Sequence, residues 1–75
     1  MKHINVYGPA ASGKTRNAEA LKRKYGCVQV VDEGKYPANA SLVGLARAAG
    51  NGRVLVLSQE PVRGMEQIHI TEALR

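Results

Sequence analysis

Between positions 8 and 15 the chain runs Gly8-Pro9-Ala10-Ala11-Ser12-Gly13-Lys14-Thr15: a glycine, four residues, a second glycine, a lysine and a hydroxyl residue. That spacing suits the holding of a phosphate chain. Gly8 and Gly13 can take backbone angles closed to other residues, so successive N–H groups can turn toward one anion in front of the helix that follows. Lys14 supplies a point charge for β- and γ-phosphates, and the Thr15 hydroxyl is a hard oxygen suited to Mg2+. The ligand class these residues define is a nucleoside triphosphate, ATP or GTP, with Mg2+. Gly8 to Thr15, with Arg16 beside them, form the expected cofactor-binding segment. At average residue usage the four fixed positions recur by chance in a chain this long on the order of once in several hundred sequences. The alternative is a plain Gly-rich turn, and the flanking elements weigh against it.

Such a loop needs a strand before it and a helix after it, and both are legible. His3–Tyr7 reads as a short strand ending at Gly8, and 15–25 carries Ala18, Leu21 and Tyr25 at helical spacing before the stop at Gly26. Cys27–Asp32 is a second, Val-rich strand, closed by Gly34 and Tyr36-Pro37. Ser41 is the N-cap of a second helix that runs through Leu42, Leu45, Ala46 and Ala49 to the Gly50-Asn51-Gly52 stop. Arg53–Ser58 is the third strand. Its Val54, Leu55, Val56 and Leu57 are apolar on both faces, as a central strand requires, whereas Asn5 and Gln29 break that pattern in theirs. In 67–71, Ile68 and Ile70 alternate onto one side, which suits a fourth strand at a sheet edge.

The expected fold class is therefore α/β in three layers, a mainly parallel sheet with strand order 2-3-1-4 and one helix on each face. The order follows from right-handed parallel crossovers with the third strand slotted between the first and second. Between Ser58 and Gln67 there are too few residues for a helical crossover, so the fourth strand is expected to return antiparallel beside the first.

The 75 residues make one small domain, 1–75. With 44% hydrophobic and 23% charged residues, a wholly disordered chain or a collagen-like fibre is excluded. Three Tyr and no Phe or Trp leave a core of Val, Leu, Ile and Ala. The lone Cys27 excludes an internal disulfide framework and a Cys-rich zinc site, and reads as a small buried hydrophobe rather than a nucleophile. No run approaches the roughly 18 apolar residues of a membrane span, and no signal-peptide core is present, so a cytoplasmic protein without a membrane partner is expected. The net charge of +5 raises nucleic acid as a partner, but the eleven Lys and Arg are spread along the chain. Only Lys22-Arg23-Lys24 cluster, at a helix end where cations favour the local dipole. His3 and His69 stand singly, with no metal-ligand spacing.

Gly8 to Thr15, with the strand before and the helix after, resembles the P-loop NTPase superfamily and its Walker A motif. In Val28-Gln29-Val30-Val31-Asp32-Glu33 the chain also looks like that superfamily's Walker B strand. The resemblance implies that Lys14 is catalytic as well as phosphate-binding, that Asp32 holds Mg2+ through water alongside Thr15, and that Glu33 polarises the attacking water. It further implies a polar sensor at Gln59, after the third strand, and a Mg-dependent hydrolase. As a whole the chain is similar to the very small P-loop proteins of bacteriophages and prophages. It departs from larger members in lacking a strand and a helix between the first helix and the Asp-Glu pair. Asp32 and Glu33 therefore have a second reading, as acceptor contacts in a small-molecule kinase, and a third, as a solvated strand end. A nucleotide-switched module that binds protein or nucleic acid, without turnover, is the reading outside enzymes.

Width arithmetic bears on assembly. Four strands about 4.8 Å apart make a sheet roughly 19 Å across, while a helix covers about 10 Å of each face. Ile4, Val6, Val28, Val30 and Val31 would leave apolar surface uncovered, so a homo-oligomer or a larger protein complex is expected. Arg63, expected in a loop at the nucleotide end, is the candidate arginine for a γ-phosphate, in cis or from a neighbour.

Overall fold

In chain order β1 (Ile4–Tyr7), α1 (Ala18–Lys24), β2 (Gln29–Asp32), a 3-10 turn (Glu33–Lys35), α2 (Leu42–Ala48), β3 (Val54–Ser58), β4 (Glu66–His69) and α3 (Ile70–Ala73) build one four-stranded sheet covered on both faces. The structure is a computed structural model and describes residues 3–9, 13–37, 39–50 and 52–75. The strands stand in the order β2-β3-β1-β4, as the chain's pattern predicts. Every residue of β3 is buried, which explains its apolar character on both sides.

Register separates the two faces. Ile4 and Val6 of β1 stand beside Leu55 and Leu57 of β3, and all four pack with Leu21 of α1 and with Ile70 and Ala73 of α3. On the other face Val31, Val54 and Val56 pack with Ala46, and Leu42, Leu45 and Ala49 of α2 lie against them. The helix ends have local causes. After α1 the Gly26 N–H donates to Arg23 O and the Cys27 N–H to Lys22 O, while Gly26 takes a φ of 66°; this paired closure releases the chain into β2. Ser41 caps α2, its Oγ accepting the Gly44 N–H at 3.1 Å.

Two features differ from the sequence expectation. First, β4 runs parallel to β1, not antiparallel: Ile4 pairs with Glu66 and Tyr7 with His69. The strands are four or five residues long, so the chain must travel back only about 13 Å, and the seven-residue segment 59–65 can span over 20 Å when extended. No crossover helix is required. The segment crosses on the α2 face, where Met65 packs against that core cluster. It moves across the sheet in the same direction as the β2–α2–β3 unit and on the same face, so the two connections share one hand.

Second, Ile70 begins a third helix instead of ending a strand. His69 stops the strand by turning its ring onto the chain ahead, Nδ1 accepting the Thr71 N–H at 3.2 Å. Lys24 closes the other end, its Nζ donating to Ala73 O at 2.8 Å and Arg75 O at 3.1 Å. A helix of one turn is below the length at which periodicity shows in a sequence. Because α3 joins α1 on that face, Ile4 and Val6 are buried within the chain, and Val31 is buried under α2. Of the residues that argued for an uncovered apolar face, Val28 is exposed, at 60%, and Val30 is partly buried. Most of the apolar surface that the width argument counts is thus covered within the chain. Among the described residues no helix is long and apolar enough to cross a membrane.

Candidate functional site

The chain leaving β1 turns to the α1 face, and the chain leaving β3 turns to the α2 face. Where connections from neighbouring parallel strands diverge, a crevice opens at their carboxyl ends. A cleft of about 440 Å³ lies there, lined by residues 13–16, 32–34 and 57–59. The first segment lies between β1 and α1, and the other two stand at the ends of β2 and β3.

The loop after β1 is anchored at both ends. Gly8 is buried, and its N–H donates to Ser58 O at 3.1 Å, which fixes the loop's start against β3. Gly13 has a φ of 91°, and a Cβ there would stand 3.1 Å from Asn17 Nδ2. Its carbonyl accepts both the Asn17 N–H, at 3.0 Å, and the Asn17 side-chain amide, at 2.8 Å. Lys14 folds back along the loop, Nζ donating to Gly8 O at 2.6 Å and Pro9 O at 2.9 Å. Pro9 and Arg16 are exposed, and Arg16 reaches the cleft lining. Ala10, Ala11 and Ser12, expected to complete the phosphate cradle, lie outside the described residues.

From the other side comes the end of β2. Asp32 Oδ2 accepts the Thr15 hydroxyl at 2.8 Å, and Oδ1 accepts the Gly34 N–H at 3.0 Å, capping the 3-10 turn. The cap fixes the carboxylate's rotation. Glu33 follows, half-buried, with Oε1 accepting the Gln59 N–H at 3.3 Å. Cations from the first loop thus face a carboxylate pair across β3. The Thr15 hydroxyl gives its proton to Asp32, which turns its oxygen lone pairs toward a cation; both groups are hard oxygen donors of the kind Mg2+ takes, directly or through water. Groups of three or more His, Cys, Asp or Glu able to hold a metal are absent among the described residues, so further ligands would have to be phosphate oxygens and water.

Lys14, Thr15, Arg16, Asp32, Glu33 and Gln59, all named from sequence, line this one cleft. Gly34 was missed, although a glycine directly after an Asp-Glu pair is a usable signal for a capping N–H. Ser58 is committed to structure: its Oγ donates to Glu60 O at 2.6 Å and accepts from Asn5 Nδ2 at 2.9 Å. Asn5 was noted in the sequence only as a break in an apolar strand. Arg63 does not line the cleft. By Val62 the chain is already opposite Asn5, in the middle of β1, so Arg63 lies on the return path away from the carboxyl ends.

The remaining polar candidates have structural roles. His3 Nδ1 accepts the Val54 N–H at 3.0 Å, and His69 stacks edge-on against Tyr7 at 5.2 Å while capping α3. Lys22 pairs with Glu19, and Lys24 holds the end of α3. Cys27 is buried, and burial pushes its thiol above the usual range, against a smaller opposing pull from Arg53. No family model, curated protein or solved structure matches the chain.

Proposed function

We propose that the protein binds a nucleoside triphosphate, ATP or GTP, with Mg2+ and slowly hydrolyses its terminal phosphate. The observation that carries this reading is the 2.8 Å contact of Thr15 Oγ1 with Asp32 Oδ2. It joins two segments 17 positions apart and puts two hard oxygens beside a lysine-bearing loop. Lys14 and the backbone of the 8–15 loop hold the phosphates, and Thr15 and Asp32 hold the metal. Held there, Mg2+ would supply positive charge against the phosphates. Glu33 orients the attacking water and takes its proton, its Oε1 being held by the Gln59 N–H. Gln59 closes the wall beside it. Thr15 and Gln59 are exposed, and the cleft has no arginine other than Arg16 among the described residues, so developing charge is weakly stabilised and turnover is slow.

Titration with a panel of nucleotides, with and without Mg2+, followed by phosphate release, tests the reading. Mg-dependent binding with release supports it. Binding without release leaves a nucleotide-switched module, release only on adding a phosphate acceptor leaves a kinase, and no binding overturns it.

A further inference from the structure

Asn5 is fully buried in the middle of β1, on the α2 face, and both its amide hydrogens and its amide oxygen are hydrogen-bonded. Nδ2 donates to Val56 O at 3.1 Å and to Ser58 Oγ at 2.9 Å, and Oδ1 accepts the Val62 N–H at 2.8 Å. The partners dictate the amide's orientation, since Val56 O can only accept and the Val62 N–H can only donate. Ser58 passes the connection on, its hydroxyl donating to Glu60 O at 2.6 Å. From Ser58 to Val62 the chain is thus held at three points by one side chain and the hydroxyl that side chain orients. Gln67 of β4 adds a fourth tie, Nε2 donating to Val62 O at 2.9 Å.

Gln59 lies inside that tethered stretch, and its N–H is the group that meets Glu33 Oε1. Beyond Ser58, the last residue of β3, the segment has no helix or strand of its own, so Gln59 stands where the strand end and the ties at Glu60 and Val62 hold it. We propose that Asn5 is a positioning residue for the candidate site. Through Ser58 and Val62 it sets the backbone of Gln59, and through Gln59 the Glu33 carboxylate. It also lies on β1, three positions before Gly8, so the water-orienting side of the cleft is referenced to the strand that carries the phosphate loop. The proposal rests on the nucleotide reading of the cleft. It adds that the geometry of Glu33 depends on a buried amide that touches neither phosphate nor metal.

Three measurements test it: Mg-nucleotide affinity, single-turnover phosphate release, and exchange of the Val62 amide hydrogen. Asn5→Leu conserves volume and deletes the three side-chain bonds. Gln67→Met cuts the exposed tie alone and serves if Asn5→Leu does not fold. In Asn5→Leu affinity is expected to stay within about threefold while release falls roughly tenfold to hundredfold, the scale set by a misplacement near 1 Å. Val62 exchange should accelerate in parallel. Gln67→Met should show the same split at smaller size. Release unchanged in either variant while Val62 exchange accelerates overturns the proposal, as does a fall in affinity equal to the fall in release. If the unaltered protein neither binds nor hydrolyses nucleotide while its Val62 amide is protected, the reading of the cleft has failed, and the positioning role falls with it.

Discussion

Thr15 and Asp32 share a hydrogen bond across a strand that belongs to neither of them. Thr15 follows β1 and Asp32 ends β2, and β3 stands between those strands. Two strand spacings, about 9.6 Å, separate their axes. The contact therefore requires the loop after β1 to lean over the end of β3, and the Gly8 to Ser58 bond with the 13–17 turn accomplishes this. The space so enclosed is the cleft, and the residues around it make separable predictions.

Lys14→Ala should abolish tight nucleotide binding and leave the fold intact. Its ammonium donates to Gly8 O and Pro9 O of the loop, and its removal leaves no core cavity. A ligand at one hundred times its Kd stabilises the folded state by about 2.7 kcal/mol. In a domain of this size that is a rise in Tm of roughly 10–20 °C. The unaltered protein should show such a rise with ATP and Mg2+, and Lys14→Ala should not.

Asp32→Asn should weaken the Mg-dependent part of binding and spare the rest. The asparagine oxygen can still accept a hydrogen bond from Thr15 or Gly34, so the local geometry survives while the charge is lost. Affinity measured in EDTA should match the unaltered protein, with the difference appearing as Mg2+ is added.

Glu33→Gln should keep binding and lose turnover. The amide oxygen can accept the Gln59 N–H as the carboxylate does, so only the ability to take a proton disappears. General-base loss of this kind costs on the order of 10²–10⁴ in rate. Equal phosphate release in the two proteins would remove Glu33 from the mechanism.

Ile70→Ala should destabilise the domain by about 2–5 kcal/mol, the usual range for truncating a buried Ile. That is a large share of the stability of a small domain. Urea unfolding should show a lower midpoint at unchanged slope, and a shift near zero would mean that α3 does not cover the β1 face.

Stability should decline at alkaline pH, in part through Cys27. Burial raises its thiol pKa above that of the unfolded chain, so the contribution is complete below the unfolded value. It is lost as pH rises from about 8.5 through the higher folded value, because the unfolded chain ionises first. Tyr25 is raised as well, by burial and then by Glu66 and Glu72, and adds to the same slope at higher pH. Denaturant midpoints between pH 7 and 10 should fall less steeply in Cys27→Ala than in the unaltered protein.

The sequence by itself determined the strand before Gly8, the helix after Lys14, which begins at Ala18 and not at Thr15, the capped α2 and the central place of β3, because each rests on neighbours within a few positions: glycine spacing, apolar period, a serine before a helix. It also placed Asp32 and Glu33 at a strand end, and the handedness of parallel crossovers then fixed the order of strands. Only the tertiary structure decided the direction of β4. The segment 59–65 has no periodicity to read, and its path is set by Asn5, which is 57 positions from Val62. The same holds for α3, a single turn held by His69 at one end and Lys24 at the other. Such elements owe their form to partners distant in the chain, and a polar residue inside an apolar strand, as at Asn5, is the trace they leave in the sequence.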